Sequence, residues 1–176
     1  MNIRTATSLE RDNIHNVHWA AFPEEERELV SKLAVDLLLK ETDPPILSLI
    51  AETEGNVVGH VAFSPVSIDS NQTIQGYILA PLAVKPDCQK HGIGSQLVKN
   101  GMQQLSTMGV DILLVYGDPK YYGRFGFNAD VAESYIPPYK LEYPFGWQGV
   151  ALGDSGVQQS SIQIACVNSL SDPALW

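Results

Sequence analysis

The sequence predicts a mixed α/β fold (an α+β mixture of helices and strands) in a single domain of residues 1–176, and three observations support this prediction. The chain has 176 residues, enough to bury a substantial core. Apolar residues repeat at helical spacing in several segments. Runs of β-branched and aromatic residues, bounded by Gly, Pro and Asn, lie between those segments and predict strands.

The first forty residues predict a short strand and two helices. The strand covers residues 1–6, and Thr7-x-x-Glu10 has the spacing of a capping box that opens a helix toward Ala21. The second helix covers residues 24–40. Its acidic start suits the helix dipole, and the run Asp43-Pro44-Pro45 ends it.

The remaining elements are mostly strands. The turn Glu54-Gly55-Asn56 joins two of them into a hairpin. Residues 111–116 form a nearly unbroken apolar run, which is typical of a strand buried on both faces. A long amphipathic helix is predicted from Ile93 to the region of Gly109. The predicted strands are residues 46–53, 57–68, 73–84, 111–116, 145–152 and 161–167.

Charge and cysteine content exclude several classes of function. The net charge of −9 argues against nucleic-acid binding, because phosphate backbones are held by basic surfaces. Cys88 and Cys166 are too few and too distant for a disulfide framework, and the four histidines do not cluster with them, so no metal site is predicted. Without an apolar run of 18 residues or a secretory signal, a cytoplasmic protein with no membrane partner is expected.

One segment combines a strand, a short basic loop and a helix start, at residues 79–98. The first N–H groups of a helix have no intrahelical partners, so this arrangement predicts an anion-binding loop. Gly92 and Gly94 have no Cβ, which lets a phosphate approach the backbone closely. Residues 85–99 hold three lysines, Lys85, Lys90 and Lys99, against Asp87 alone, in an otherwise acidic chain. The Walker and dinucleotide-binding patterns are both absent.

Two motifs give the chain a family resemblance. Gln89-Lys90-His91-Gly92-Ile93-Gly94 resembles the Gln/Arg-x-x-Gly-x-Gly/Ala motif of the GNAT superfamily of acyl-CoA-dependent N-acetyltransferases. Downstream, the run from Tyr121 to Phe127 is similar to that family's Tyr-x-x-x-Gly-Phe segment. Many relatives have Asn and Ala before the Tyr, whereas this chain has Gly117-Asp118-Pro119-Lys120, which resembles the subgroup named after the bacterial YhbS protein.

The resemblance implies both a fold and an activity. The fold would be a central mixed, mostly antiparallel sheet of about seven strands, splayed between strands 4 and 5, with about four helices on both faces. Acetyl-CoA would be the co-substrate, and its acetyl group would pass to a primary amine by direct attack in a ternary complex. The alternative is a non-catalytic acyl-CoA sensor or partner-binding module. The acceptor remains open among polyamines, amino acids, antibiotics and protein amines.

The resemblance also implies site residues. The N–H groups of Leu82 and Val84 would contact the acetyl carbonyl and pantetheine amides, unless this segment is a plain edge strand. Tyr122 would donate a proton to the departing sulfur, unless it only packs in the core. The expected acetyl-CoA contacts are Leu82, Ala83, Val84, Gln89, Lys90, His91, Gly92, Ile93, Gly94, Ser95 and Tyr122.

The general base and the partner surface are less defined. Residues 73–84 contain no acidic side chain, so His60 and the acidic helix start at residues 24–28 are the available candidates. A half-buried strand histidine and a solvated helix start are the structural alternatives. Cys88 and Cys166 both look structural, which makes an acyl-cysteine route the weaker choice. The aromatic segment 135–147 could cover the acceptor side, form a homodimer contact or pack within the domain.

Overall fold

The computed structural model describes residues 1–69, 73–156, 158 and 160–176. The chain forms two compact units. Unit 1 comprises Met1–Ser64 and Ala80–Gly101, and unit 2 comprises Pro65–Leu79 and Met102–Trp176. Whether these units make up a single domain stays a prediction.

The helices are α1 (Arg11–Ala21), α2 (Glu24–Leu39), α3 (Ile93–Thr107), α4 (Pro119–Tyr122) and α5 (Ala129–Ala132). The strands are β1 (Asn2–Thr5), β2 (Leu47–Thr53), β3 (Asn56–Ile68), β4 (Gly76–Val84), β5 (Ile112–Tyr116), β6 (Tyr135–Ile136), β7 (Trp147–Ala151) and β8 (Ile162–Cys166).

Strand pairing confirms the predicted mixed, mostly antiparallel sheet. Hydrogen-bonded neighbours follow the order β1-β2-β3-β4-β5-β7, and β8 pairs with β3 and β6. The β4/β5 and β6/β8 pairs are parallel, whereas β1/β2, β2/β3, β3/β8 and β5/β7 are antiparallel. The described residues contain eight strands where about seven were expected from the resemblance; the two-residue β6 is too short to show a periodicity in the sequence. Of the five α-helices in the same part of the chain, α4 and α5 are single turns.

In unit 1, the predicted capping box and hairpin both form. Glu10 accepts from the N–H of Thr7 at 2.6 Å, and the Thr7 hydroxyl accepts from Leu9. Arg4 forms ion pairs with Glu10 at 3.0 Å and with Glu52 of β2 at 2.7 Å. The hydrogen bond from Arg4 lowers the pKa of Glu10 to about 2. The hairpin between β2 and β3 turns tightly, since Thr53 pairs directly with Asn56.

The core of unit 1 lies where its two N-terminal helices meet its strands. Apolar side chains at helical spacing on α1 and α2 supply one part of it, and alternate residues of the strands supply the rest. A buried cluster in this core consists of Ile14, Val17, Ala34, Ile50, Val57 and Ala83.

Unit 2 is organised around β5, whose apolar residues are buried as the sequence predicts. Ile112, Leu113 and Leu114 are completely buried. Residues 76–79 of β4 pair with residues 112–115, and β7 pairs with β5 on its other side. The register of the β4/β5 pair ends at Leu79, while β4 itself continues to Val84.

Within residues 1–69, 73–156, 158 and 160–176, no helix has both the length and the apolar content needed to cross a membrane.

Candidate functional site

The predicted anion-binding loop lies at the end of β4 and is held there by main-chain bonds. The Lys85 N–H donates to the carbonyl of Val58 on β3 at 2.9 Å, and a 3₁₀ turn over Pro86–Cys88 follows. The Gln89 side-chain amide donates back to the carbonyl of Val84 at 3.0 Å. The first residue of the motif therefore closes the loop onto the end of its own strand.

Two residues of the loop adopt left-handed backbone conformations. Lys90 has φ 65° and Gly92 has φ 79°, and α3 begins at the next residue, Ile93. The Gln96 N–H bonds to the Gly92 carbonyl at 3.0 Å, in the first turn of the helix. N–H groups that precede this bond have no helical acceptor and are the donors that an anion needs. The loop from Gln89 to Gly92 is exposed to solvent.

The apolar residue of the motif anchors the start of the helix. Ile93 is buried, and together with Leu97 it packs against Gly59 of β3. A Cβ at Gly59 would lie only 3.0 Å from Leu97 Cδ1 and 3.1 Å from Ile93 Cγ2. A larger residue at position 59 would push the helix away, so Gly59 sets how closely α3 approaches the strands. Sequence reasoning missed this role.

The end of β4 alternates in burial. Ala83 is buried, whereas Leu82 and Val84 are half-buried. Since N–H groups of a strand point alternately to its two sides and Lys85 donates to β3, regular alternation directs the N–H groups of Leu82 and Val84 away from β3. Unit 1 thus contains Leu82, Ala83, Val84, Gln89, Lys90, His91, Gly92, Ile93, Gly94 and Ser95 in one continuous strand-loop-helix segment.

Tyr122 belongs to unit 2, at the end of α4. Asp118 caps this turn by accepting from the Lys120 N–H at 2.9 Å. The Tyr122 ring packs edge-on to Phe127, with 5.7 Å between centroids, and lies against Gly117. Desolvation by burial raises the pKa of the Tyr122 phenol well above its ordinary value of 10, so the phenol stays protonated at neutral pH.

His60 is completely buried in unit 1, more deeply than the half-buried strand histidine that was the structural alternative to a general base. Its Nδ1 lies 2.7 Å from Nε2 of His18 on α1, and its Nε2 lies 2.8 Å from the hydroxyl of Ser48 on β2. Desolvation lowers the pKa of His60 well below 6.5 and that of His18 to about 3. Both ring nitrogens of His60 have protein partners, which disfavours direct contact with an amine. The glutamates at 24, 25, 26 and 28 are exposed.

His18 and Ser48 were not singled out from the sequence. His18 follows Ile14 by four residues and Val17 by one, so the helical pattern of buried residues could have placed it on the buried face of α1. Ser48 pairs with Ala62 in the strand register and reaches His60 only through its side chain, a contact for which the sequence had no such signal.

Metal and thiol chemistry have few candidates in the part of the chain that the structure describes. There, no three His, Cys, Asp or Glu side chains gather into a group that could hold a metal ion. Cys88 and Cys166 are both free thiols. Desolvation raises the pKa of Cys166 to about 12, which leaves almost no thiolate at neutral pH.

Comparisons with known proteins agree with the two motifs. The model of the Acetyltransferase (GNAT) family matches residues 11–127, which include both. The uncharacterized N-acetyltransferase YjhQ of Escherichia coli K12 is 37% identical over 111 residues, or 62% of this chain and 61% of YjhQ. The uncharacterized N-acetyltransferase YhbS of the same strain is 39% identical over 104 residues, or 58% and 60%. The chain thus spans about three fifths of the length of these curated relatives.

Solved structures are similar over nearly the whole chain. A crystal structure of E. coli YhbS in complex with CoA has a TM-score of 0.83 and 26% identity, covering 97% of this chain and 92% of that one. A GNAT family acetyltransferase from Brucella melitensis, in complex with acetyl-CoA, has a TM-score of 0.65 and 31% identity, covering 92% and 93%. The resemblance noted in the sequence is confirmed, and the chain belongs to the Acetyltransferase (GNAT) family.

Proposed function

We propose that this protein is an acetyl-CoA-dependent N-acetyltransferase that transfers the acetyl group to a primary amine by direct attack in a ternary complex. The observation that carries the proposal is the exposed strand-loop-helix segment of unit 1, in which two left-handed residues turn the chain into the start of α3. The similar structures from E. coli and Brucella hold CoA and acetyl-CoA, the ligands that such a loop suits.

The loop presents backbone N–H groups that suit binding of a diphosphate. Backbone N–H groups between Lys90 and Ser95 precede the helical ladder, and the helix dipole adds partial positive charge at the same place. The ammonium group of Lys90 is exposed beside them. We assign the diphosphate of acetyl-CoA to these groups, with Gln89, His91, Gly92, Ile93 and Gly94 shaping the loop.

The thioester end is assigned to the end of β4. The N–H groups of Leu82 and Val84, which regular alternation directs away from β3, supply donors for the acetyl carbonyl and the pantetheine amides, with Ala83 between them. A fixed N–H donor at the acetyl carbonyl stabilises the oxyanion that forms when the amine attacks. Leu82 therefore acts in catalysis through its backbone.

Acetyl transfer requires two proton movements. The amine nitrogen attacks the carbonyl carbon, the carbon–sulfur bond breaks, and the sulfur leaves with the bonding electron pair. Tyr122 donates its phenolic proton to that sulfur. Because a thiol with a pKa of about 8.5 already leaves tolerably well, we expect Tyr122→Phe to lower kcat by about 10² rather than to abolish turnover.

The amine must lose a proton before it attacks. A lysine-like amine with a pKa of about 10.4 is neutral in only about one molecule in a thousand near pH 7.4. His60 is enclosed by His18 and Ser48, so it can accept this proton only through a partner, whereas the glutamates at 24–28 are in solvent. A chain of water molecules that leads to solvent removes the amine proton without His60 and without these glutamates.

Direct transfer is favoured over a covalent acyl-cysteine route by the state of the thiols. Cys166 is a protonated and therefore poor nucleophile, since its pKa is raised to about 12. Cys88 ends the 3₁₀ turn directly before the loop assigned to the diphosphate, whereas the reacting carbonyl is assigned to the N–H of Leu82 on β4.

Two measurements test the proposed function. Calorimetry with acetyl-CoA tests uptake, and release of free thiol in the presence of a panel of primary amines tests turnover. The panel should include polyamines, amino acids, an aminoglycoside and a peptide with a free N-terminus. We expect micromolar binding, about −8 kcal/mol, and turnover with at least one acceptor.

The outcomes separate the enzyme from a sensor. Binding without turnover on any amine would indicate an acyl-CoA sensor. Absence of binding at millimolar acetyl-CoA would reject both. Gly94→Leu should abolish uptake, because its side chain would occupy the start of α3, whereas Gly123→Ala, whose Cβ meets no atom within 4 Å, should bind normally. A homodimer and a cytoplasmic location remain predictions.

A further inference from the structure

We propose that Gln148 is a positioning residue that holds Tyr122 in place for proton donation. The proposal rests on the proposed function for its kinetic consequence, but its structural basis lies wholly within unit 2. Gln148 lies outside both sequence motifs.

The orientation of the Gln148 side chain is fixed by its partners. Gln148 lies on β7 opposite Val115 of β5, and only 1% of it is exposed. Its Nε2 donates to the carbonyl of Gly117 at 3.1 Å and to the carbonyl of Gly146 at 3.3 Å. Since carbonyl oxygens can only accept, the amide must present its nitrogen to both of them.

The Gly117 peptide is the link between Gln148 and Tyr122. The Gly117 N–H donates to the carbonyl of Gly146 at 2.9 Å, so Gly117 is held through both its N–H and its carbonyl. A Cβ on Gly117 would lie 2.5 Å from Cε2 of the Tyr122 ring, so the ring rests directly on the Gly117 backbone. One residue on, the carbonyl of Asp118 accepts from the Tyr122 N–H at 3.0 Å. Movement of the Gly117–Asp118 backbone would therefore move the phenol.

One atom of the Gln148 side chain lowers the stability of the fold. Its Oε1 is buried and has no hydrogen-bond partner among the residues that the structure describes. A buried polar atom without a partner costs free energy, which an apolar side chain of the same size would avoid. Local features that lower stability are concentrated at functional sites in natural proteins. Fixing the peptide under Tyr122 gives the glutamine such a function.

The first test is a double-mutant cycle on turnover. Gln148→Met keeps the volume of the side chain and removes both donors. We expect kcat to fall about tenfold while the KM for acetyl-CoA changes less than about twofold, because Tyr122 is displaced and the acetyl-CoA contacts assigned to the strand-loop-helix segment are not. In a Tyr122→Phe background, the same substitution should have almost no further effect, because the donor through which it acts is gone.

A matched control is available on β8. The Nε2 of Gln163 also donates to backbone carbonyls, those of Ile136 and Pro137 at 3.2 Å each and that of Ile164 at 3.3 Å, but Gln163 is exposed and Gly117 is not among these acceptors. Gln163→Met should leave kcat unchanged. Equal losses of kcat for Gln148→Met in the wild-type and Tyr122→Phe backgrounds would overturn the proposal.

The second test does not depend on activity. Tyrosines labelled with ¹³C at Cζ report phenol ionisation by NMR, and Tyr122→Phe identifies the signal of residue 122. We expect this signal to stay that of a neutral phenol at pH 10.5 in the wild-type protein and in Gln163→Met, and to move toward the ionised form in Gln148→Met as the ring loosens and gains water.

The two tests fail in distinguishable ways. If no amine is acetylated by the wild-type protein, the proposed function fails, and the NMR titration still decides whether Gln148 holds Tyr122. An identical titration of residue 122 in the wild-type protein and in Gln148→Met would overturn the positioning role, whatever the activity.

Discussion

Tyr122 occupies its place because its neighbour Gly117 has no side chain. The ring fills the space that a Cβ would take, and Phe127 packs against its other part. Desolvation raises the pKa of the phenol further above neutral pH, so the phenol keeps the proton that it would donate. At this scale, one missing carbon sets the position of the candidate acid.

Gly117→Ala should therefore damage activity and stability together. The new Cβ would lie 2.5 Å from the Tyr122 ring, so the ring or the backbone must move. We expect a loss of about 1–3 kcal/mol in the free energy of unfolding, as for other overpacked sites, and a fall in kcat comparable with that of Tyr122→Phe. Urea unfolding and steady-state kinetics measure the two effects.

Gly123→Ala is the matched control for this prediction. Gly123 has φ −56°, which any residue adopts, and nothing lies within 4 Å of its Cβ position. Its unfolding free energy should be unchanged or slightly higher. Equal effects of the two substitutions would contradict the role assigned to the Gly117 contact.

The sequence identified Tyr122 as a candidate site residue, but it did not identify the residues that hold Tyr122 in place. The Tyr-Tyr-Gly-Arg-Phe-Gly-Phe run pointed to the tyrosine through its resemblance to a family motif, and Gly117 was noted only as part of a departure from that family. The contact between Gln148 and Gly117 joins residues that are 31 positions apart. A single sequence has no periodicity that reports such a pairing.

At the scale of elements, the loop before α3 combines a left-handed backbone conformation with open space. Gly92 has φ 79°, and a Cβ placed on it would meet no atom within 4 Å. The glycine is thus required for its backbone conformation and for access, not for packing inside the protein. An L residue in the left-handed region costs about 1–2 kcal/mol.

Gly92→Ala should lower both stability and affinity for acetyl-CoA. We expect the dissociation constant measured by calorimetry to rise about tenfold or more, because the strained loop shifts its N–H donors. Gly109→Ala is the control, since Gly109 has φ 83° and equally open surroundings after the end of α3. It should lose similar stability at unchanged affinity, and a matching loss of affinity there would contradict the assignment.

The packing of α3 depends on a second glycine. A Cβ on Gly101 would lie 2.1 Å from Cζ of Phe63, a completely buried residue of β3. Gly101→Ala should therefore destabilise the protein by about 1–3 kcal/mol in urea unfolding, although alanine is the better helix former. Gln103→Ala, on the exposed side of the same helix, should be neutral or stabilising. A stabilised Gly101→Ala variant would contradict this packing.

Most elements were predictable from periodicity and caps, within a few residues at their ends. The helix from Ile93 was predicted toward Gly109 and ends at Thr107, and the strand predicted over residues 73–84 begins at Gly76. The short elements were not predicted. β6 and α5 contain two and four residues, and each depends on partners elsewhere in unit 2 rather than on its own sequence.

At the scale of the whole molecule, the buried histidine pair links stability to pH. Desolvation lowers the pKa of His18 to about 3 and that of His60 well below 6.5 in the folded protein. In the unfolded chain both titrate near 6.5, so the unfolded state binds more protons below that pH. Their contribution to stability is therefore complete above pH 6.5 and is lost as the pH falls toward the folded values.

We expect the free energy of unfolding to fall between pH 7.5 and pH 5.5 by about 1.4 kcal/mol for each of these histidines. Urea unfolding at both pH values measures this loss. Glu10, whose pKa is lowered to about 2, does not contribute in this window, because it titrates below it.

Two variants test whether the buried histidines cause this pH dependence of the free energy of unfolding. His60→Asn should reduce the pH dependence by about half, since one of the two titrating groups is gone. His91→Asn should leave it unchanged, because His91 is exposed in the loop before α3. A pH dependence that is the same in His60→Asn as in the wild-type protein would contradict this assignment. The pairing itself was not predictable, since positions 18, 48 and 60 belong to three different elements.

The path of the chain through its two compact units limits how the protein can be divided. The chain passes between the units after Ser64, after Leu79 and after Gly101, so each unit is assembled from separate stretches. No single cleavage or truncation of the gene releases either unit whole. A fragment that stops at Gly101 contains the segment around α3, but it also separates residues 65–79 from residues 102–176, the other stretch of unit 2. Fragment complementation, not deletion, is therefore the practical way to study the units apart.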